Sequence, residues 1–440
     1  MLKLNAFTPQ NGIDYDGILS RRQRALAPAY ELFYQEPLHL VRGDGVWLYD
    51  IQGHRYLDAY NNVPSLGHGN PVVVEALSRQ AATLCTHTRY LDAHIVRLSE
   101  RLIHTLPDAR MWKMFYTCSG SEANDLALRL AFRHTKARGL IVTDHAYHGL
   151  TAWTAATSTS MASTGMDLQD SGLELAVIRS PAHAPRDCPL STWLAGEVQT
   201  AMAALAERGV RPAAILLDSF FTSDGGFYAP AGFLKEAVDL VQAAGGLYIA
   251  DEVQAGFGRS GHDWWGFSIH GVVPDIVTMG KPMGNGYPMA GLAVSDAVAR
   301  HYGDSYFNTF GGNTVAAAVG NAVLDEIETR DLMARARLLG ERFLSRLTAL
   351  QSESPWLGDV RGCGLSLAVD ILDEDGRRSA AHALALVNHL RRQGVLISTA
   401  GRDGASLKIR PMLIYKESHC DTLVTALAKG LHALSDPTSP

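Results

Sequence analysis

No stretch of this 440-residue chain approaches the ~18–20 consecutive apolar residues that a membrane-spanning helix requires. The N-terminus, Met1-Leu2-Lys3-Leu4-Asn5-Ala6, lacks the extended apolar core of a secretory signal. Cysteines are few and scattered: Cys85, Cys118, Cys188, Cys363 and Cys420 are odd in number and show no CxxC spacing. That pattern argues against a disulfide scaffold or a zinc site, and for reduced thiols in a cytoplasmic protein. Long basic blocks are missing as well, and the net charge is −6. Nothing in the balance points to nucleic acid or to a polybasic membrane contact. A small acidic substrate stays open, because a local basic pocket need not show in the total. There is no internal repeat.

What is present is an ordinary globular composition, 47% hydrophobic and 19% charged, in a chain long enough for two or three domains around a large core. From about 71 to 320, short apolar runs alternate with helical patterns. Strands are expected at Met114–Thr117, Leu140–Thr143, Ala213–Asp218, Leu247–Ala250, Asp275–Thr278 and Gly291–Val294, with helices such as Glu122–Thr135 and Leu234–Ala243 among them. The alternation implies βαβ crossovers and a mostly parallel sheet covered on both faces. A long helical pattern at about 315–351 leads into Gly364–Leu372 as a strand, Ala381–Gln393 as a helix, and Leu396–Ser398 and Leu407–Arg410 as strands. The expected organisation is an N-terminal arm with short strands over residues 1–70, a large domain over 71–320 and a small α/β domain over 321–440. The tail from Ser435 to Pro440 is expected to fray.

Two apolar runs end in chemistry. Leu247-Tyr248-Ile249-Ala250 closes on Asp251-Glu252-Val253-Gln254, and thirty positions after Asp251 the run Ile276-Val277-Thr278-Met279-Gly280 closes on Lys281. This pairing suits pyridoxal 5'-phosphate: an amine forms a Schiff base with the aldehyde, and a carboxylate keeps the pyridine nitrogen protonated. Pro282 keeps Lys281 out of a regular helix. Burial there would lower the lysine pKa and favour the free amine. The alternative for Lys281 is a surface lysine, and for Asp251 a structural ion pair with an arginine.

Other segments fit the same cofactor. Thr117-Cys118-Ser119-Gly120-Ser121-Glu122 joins a strand to a helix, so small residues and free N–H groups coincide at a helix N-terminus suited to a phosphate. An ordinary helix cap reads the same way. In Asp144-His145-Ala146-Tyr147-His148-Gly149, Tyr147 is placed to stack on a flat ring with Val253 on the opposite face, or simply to pack at a turn. His148 reads as a hydrogen-bonded structural histidine, and Gln254 as a group that reaches the phenolic oxygen of the cofactor. Gly256-Phe257-Gly258-Arg259-Ser260-Gly261 formally matches GxGxxG, but His262-Asp263-Trp264-Trp265-Gly266 is a poor helix start, so a dinucleotide fold is rejected.

The ordered motifs SGSEAND, DHAYHG, ADEVQAGFGRSG, MGKPMGNGYP and FNTFGGN resemble the class III (ω-) aminotransferases of PLP fold type I, from about residue 30 to 415. The resemblance implies an α/β fold with a large domain, whose mostly parallel mixed sheet lies between helices, and a small α/β C-terminal domain. It also implies a homodimer with shared active sites. Lys281 would be the Schiff-base lysine and Asp251 the partner of the ring nitrogen. Gly120 and Ser121 would hold the phosphate, Tyr147 would stack, and Thr309 would reach the phosphate bound by the neighbouring subunit. Thr314 departs from the proline common after this asparagine.

Within the family, Tyr60-Asn61-Asn62-Val63, Thr88-Arg89-Tyr90-Leu91 and Leu407-Lys408-Ile409-Arg410-Pro411 resemble the ethanolamine-phosphate and phosphohydroxylysine phospho-lyases. Many family members clamp a substrate carboxylate with an arginine where Lys408 stands, and pair that arginine with a glutamate where Ser223 stands. A lysine does not duplicate the arginine fork. Lys408 and Arg410 share one face of a strand, where two cations suit a dianionic phosphate; a solvated strand face is the alternative. Arg89 and Asn61 complete the expected substrate shell, Arg89 being equally readable as an interface residue. The function implied is elimination of phosphate from a phosphorylated primary amine such as O-phosphoethanolamine, giving aldehyde, ammonia and phosphate. An ω-transaminase shares every step through the carbanion and is the second reading.

Overall fold

The computed structural model describes residues 17–108, 110–161, 171–303 and 305–435. The first sixteen residues of the expected arm, and the tail after Ser435, lie outside these. Three short strands come first, β1 (Leu40–Asp44), β2 (Trp47–Asp50) and β3 (Arg55–Asp58), paired antiparallel. The central sheet consists of β4 (Trp112–Thr117), β5 (Gly139–Thr143), β6 (Glu174–Ile178), β7 (Pro212–Asp218), β8 (Leu247–Asp251), β9 (Ile276–Met279) and β10 (Ala290–Ser295). Their order is β4-β10-β9-β8-β7-β5-β6. From β9 to β6 every neighbour is parallel, and β10 alone runs antiparallel to both strands beside it.

Why the central strands read as unbroken apolar runs is visible in their burial: every residue of β5, β8, β9 and β10 is buried. Alternate residues of β7 feed different cores. Ile215 and Leu217 join one cluster with Leu194 and Val198 of the helix Leu190–Glu207; Ala214 and Leu216 join another with Leu126 and Leu130 of the helix Gly120–Thr135. The period of two thus places a helical layer on each face. β6, an edge strand with exposed and half-buried positions, lacks the apolar run that marks the others.

A second antiparallel sheet, β11 (Leu357–Cys363), β12 (Ser366–Ile371), β14 (Ser398–Ala400) and β15 (Ser406–Ile409), has the order β11-β12-β15-β14. The expected strand Leu396–Ser398 is in fact two. β13 (Val395–Leu396) pairs in parallel with β3, while β14 joins the C-terminal sheet, the chain changing sheets at the fully buried Ile397. Leu48, Tyr56 and Leu57 accordingly share one core cluster with Phe343, Leu386, Leu407 and Ile409. The helical pattern at 315–351 is likewise two helices, Thr314–Thr329 and Leu332–Glu353, separated where Asp331 takes a left-handed conformation that an aspartate tolerates. Among the described residues no helix is long and apolar enough to cross a membrane.

Candidate active site

Asp218, Asp251 and Thr278 stand in register at the carboxyl ends of β7, β8 and β9, the edge at which ligands of open α/β sheets gather. Asp251 is almost fully buried and no arginine pairs with it among the described residues. Instead its Oδ2 accepts from Asn124 Nδ2 at 2.9 Å and from His148 Nδ1 at 2.7 Å, and its Oδ1 accepts the Val253 N–H at 3.1 Å. Asn124 is itself held: Nδ2 also donates to the His148 carbonyl at 2.8 Å, and Oδ1 accepts from Thr278 Oγ1 at 2.6 Å. Four elements therefore fix one carboxylate, at the cost of burying a charge that needs a cation nearby.

Lys281 opens a short 3-10 turn, Lys281–Gly284, with Pro282 as its second residue. Asn285 ends the turn in a left-handed conformation. Its side chain accepts the Leu66 N–H at 2.8 Å and donates to the Gly67 carbonyl at 3.1 Å, so the loop that follows β3 is tied to the lysine turn. Burial pushes the Lys281 amine below the ordinary lysine value; the anion of Asp251 opposes this and the Arg410 cation adds to it. The amine makes no hydrogen bond or ion pair with any described residue.

Two glycines and a valine, Gly120, Gly280 and Val253, meet beside the lysine turn. A Cβ on Gly120 would sit 2.8 Å from Val253 Cγ1, and one on Gly280 3.2 Å from the same atom. Two glycines thus make room for Val253 to present its methyl groups. Gly120 and Ser121 open the helix Gly120–Thr135, whose Ser119–Glu122 capping box takes up the N–H groups of Cys118, Ser119 and Glu122. The first helical amides, those of Gly120 and Ser121, keep the orphan donors of a helix N-terminus. Tyr147, half-buried, lies close enough to Asp251 for that anion to raise its phenol further, beyond the effect of burial. A ring with a protonated nitrogen over Val253, an aldehyde at Lys281 and a phosphate at the helix start fits this donor set.

Leu407 and Ile409 of β15 point with no exposure into the core that the C-terminal sheet shares with β2 and β3, which turns Lys408, and Arg410 one residue past the strand, to the other face. Arg410 is 2% exposed; Nη1 donates to Gln254 Oε1, while Nε and Nη2 have no partner. Burial lowers its guanidinium to about 10. Gln254 Oε1 also accepts from Asn62 Nδ2 at 3.3 Å. Arg259, from the rejected GxGxxG, is buried and donates through Nη1 to the Leu365 and Pro411 carbonyls, both at 2.8 Å, pinning the segment that carries Arg410. Turns follow it, and no dinucleotide-binding helix.

The structure brings Lys281, Asp251, Gly120, Val253, Gln254 and Arg410 together, with Tyr147 half-buried near Asp251 and Lys408 half-buried near Arg410 and Lys281. It does not bring in Asn61, whose side chain donates to Asp58 Oδ2 at 2.8 Å; its neighbour Asn62 is the one that faces Gln254. Arg89 and Thr309 are exposed on adjoining surface segments, Arg89 lying 4.1 Å over the Phe307 ring. Thr314, in place of a proline, uses its N–H and hydroxyl to hold the Thr86 and Leu84 carbonyls at 3.1 and 2.7 Å. Asn124 and Asn62 were not singled out in the sequence, although a fully buried asparagine inside an apolar helix face is a signal in its own right.

The chain matches the family model Aminotransferase class-III over residues 32–431. It is 34% identical over 429 residues to an alanine–glyoxylate aminotransferase 2-like protein of Drosophila melanogaster, covering 94% of this chain and 86% of that one. It is also 34% identical over 436 residues to ethanolamine-phosphate phospho-lyase homolog 1 of Caenorhabditis elegans, covering 94% and 93%. Among solved structures, a phospholyase from Arthrobacter in complex with phosphoethanolamine superposes with a TM-score of 0.89 at 39% identity, over 94% of this chain and 99% of that one. With a match of this extent, and a site whose lysine, carboxylate and helix start suit its cofactor, pyridoxal 5'-phosphate, the chain belongs to the class III aminotransferases.

Proposed function

We propose that this enzyme is a phospho-lyase acting on a phosphorylated primary amine such as O-phosphoethanolamine, releasing inorganic phosphate, an aldehyde and ammonia with net consumption of one water. The observation that carries this reading is the cationic wall: Lys408 of β15 and Arg410, one residue past its end, lie side by side, and two nitrogens of Arg410 are buried without a partner. A dianion satisfies such donors better than the single charge of a carboxylate. The Arthrobacter phospholyase solved with phosphoethanolamine supports it.

When bound, pyridoxal phosphate supplies an aldehyde for the substrate amine and a ring that accepts the electron pair left on the neighbouring carbon. Asp251, held by Asn124, His148 and the Val253 N–H, keeps its charge aimed at the ring nitrogen and holds a proton there. Lys281, desolvated and unpaired, takes the proton from the carbon bearing nitrogen. Gly120 and Ser121 bind the cofactor phosphate through their N–H groups. Arg410 and Lys408 offset the charge on the departing substrate phosphate as its carbon–oxygen bond breaks.

The working unit in this reading is a homodimer with shared sites. Tyr90 and Leu91, next in sequence to Arg89, and Phe310, next to Thr309, are each more than 60% exposed, apolar side chains that a neighbouring copy would cover. Thr309 would face the cofactor phosphate held by the neighbouring copy. A reducing, cytoplasmic setting is supported by the five cysteines, all free thiols.

The test is incubation of the holoenzyme with O-phosphoethanolamine and no keto acid. Phosphate, acetaldehyde and ammonia in equal amounts are expected. Amino transfer to pyruvate without phosphate release would replace this reading with that of an ω-transaminase, for which the Drosophila relative's name speaks.

A further inference from the structure

Lys408 is unlike the arginine beside it. It lies at the centre of the C-terminal sheet, across from Ala368 of β12 and Ser398 of β14. Neither offers an anion, and Lys408 makes no hydrogen bond or ion pair with any described residue. The charged and titratable groups that face it are Arg410 on its own strand, Lys281 from the turn after β9, Asp218 at the end of β7 and His145 from the loop after β5. Asp218 is the only carboxylate among these. Its oxygens already accept the Phe220 and Thr222 N–H groups at 2.9 and 3.1 Å, and burial and Asp251 raise it toward the neutral form.

Two cations side by side, Lys408 and Arg410, with a single carboxylate nearby whose oxygens are already engaged, relieve their repulsion through whichever can release a proton. Arg410 cannot do so in the neutral range, since a guanidinium there stays charged. An amine can.

Resting on the phospho-lyase reading, we propose that Lys408 is a neutral amine in the free site and takes up a proton when a dianionic group docks against Arg410, so that substrate capture and proton uptake are one event. The direction of its titration agrees: burial, then Arg410 and Lys281, hold the amine well below its ordinary value. Arrival of a dianion reverses the two electrostatic contributions. Between the free and occupied pKa values the bound state carries about one proton more than the free state. Below the lower of the two, Lys408 is already charged and uptake vanishes.

Functionally, a neutral Lys408 keeps the free site from holding two cations side by side, and a charged one appears only when the phosphate is present to use it. Loss of the phosphate after bond cleavage returns the proton, which favours release of an otherwise tightly held product.

The experiment is calorimetric titration of the holoenzyme with sulfate, a dianion that carries no titrating proton near neutrality. It is run at about pH 8 in buffers of differing ionisation heat. Wild type is expected to take up about one proton per site. Lys408→Arg, which stays charged, should bind sulfate within about threefold of wild type while uptake falls to near zero. Lys408→Met should lose both uptake and about tenfold in affinity. Sulfate binding without buffer-dependent uptake, or uptake that persists in Lys408→Arg, overturns the proposal. Absence of sulfate binding overturns it as well. Release of phosphate from O-phosphoethanolamine, measured on the same preparation, then tells whether the phospho-lyase reading survives.

Discussion

The two walls of this site are built on opposite principles. Around Asp251 every polar atom that touches the carboxylate has a defined partner, drawn from β8, β9, the helix Gly120–Thr135 and the loop after β5. Around Arg410 and Lys408 the donors outnumber the acceptors, and Nε and Nη2 of Arg410 are buried with nothing to bind. A satisfied network rigidifies; an unsatisfied one is a standing cost that a ligand removes. In the proposed reading the contacts of the carboxylate stand ready before any ligand binds, with only His148 Nε2 behind them left without a partner, and the donors of Arg410 are satisfied by the substrate.

Removing groups one at a time tests that contrast. The largest loss is expected for Lys281→Ala, which in the proposed reading removes both the cofactor linkage and the base: turnover of any amine should fall by about 10⁴-fold or more, with the cofactor's bound absorbance lost. Asp251→Ala should lower turnover by about 10²–10³-fold. It should also cost on the order of 1–3 kcal/mol in denaturant unfolding, because Asn124 and His148 lose their acceptor. Arg410→Met should reduce phosphate release by about 10–100-fold, yet leave the unfolding free energy equal to or above wild type, since a buried unpaired cation is gone. Equal destabilisation by Asp251→Ala and Arg410→Met would erase the distinction between the walls.

Smaller effects probe the edges of the two regions. Asp224 is buried with Oδ1 unpartnered, and burial pushes its carboxyl up to about 7. The folded state thus keeps a proton that the unfolded chain releases near pH 4, so this group lowers stability as pH rises from about 4 to 7. Asp224→Asn should be more stable than wild type at pH 8 by on the order of 1–3 kcal/mol, with the gain shrinking toward pH 4 in denaturant titrations. Arg89→Ala, an exposed cation over Phe307, should change kcat and KM by less than about threefold. A loss approaching that of Arg410→Met would move Arg89 into the phosphate-binding wall.

The residues proposed for the cofactor wall stand out in the chain because they close strands. A strand buried on both faces reads as an apolar run, and the polar residue ending it stands out; Asp251 and Lys281 are such residues. Gly120 was legible for a related reason, small residues at a strand-to-helix junction. Asn124 was not, since a helix position four residues on reveals nothing about which strand end it will meet. Asn61 and Asn62 show the limit most sharply: adjacent, chemically identical, and separated only by Asp58, which captures the first and leaves the second to Gln254.

Local sequence thus determined which residue types end the central strands and so which cofactor they suit, because periodicity, chain breakers and side-chain type are properties of neighbouring residues. It also carried the face shared by Lys408 and Arg410, a consequence of alternation along one strand. Tertiary structure alone decided that β13 pairs with β3 and not with the C-terminal sheet, that His148 rather than an arginine accompanies Asp251, and that Lys408 has no ion-pair partner among the described residues. Each of those depends on segments far apart in the chain meeting at one point, and only the packed core, by excluding water, makes a missing partner matter.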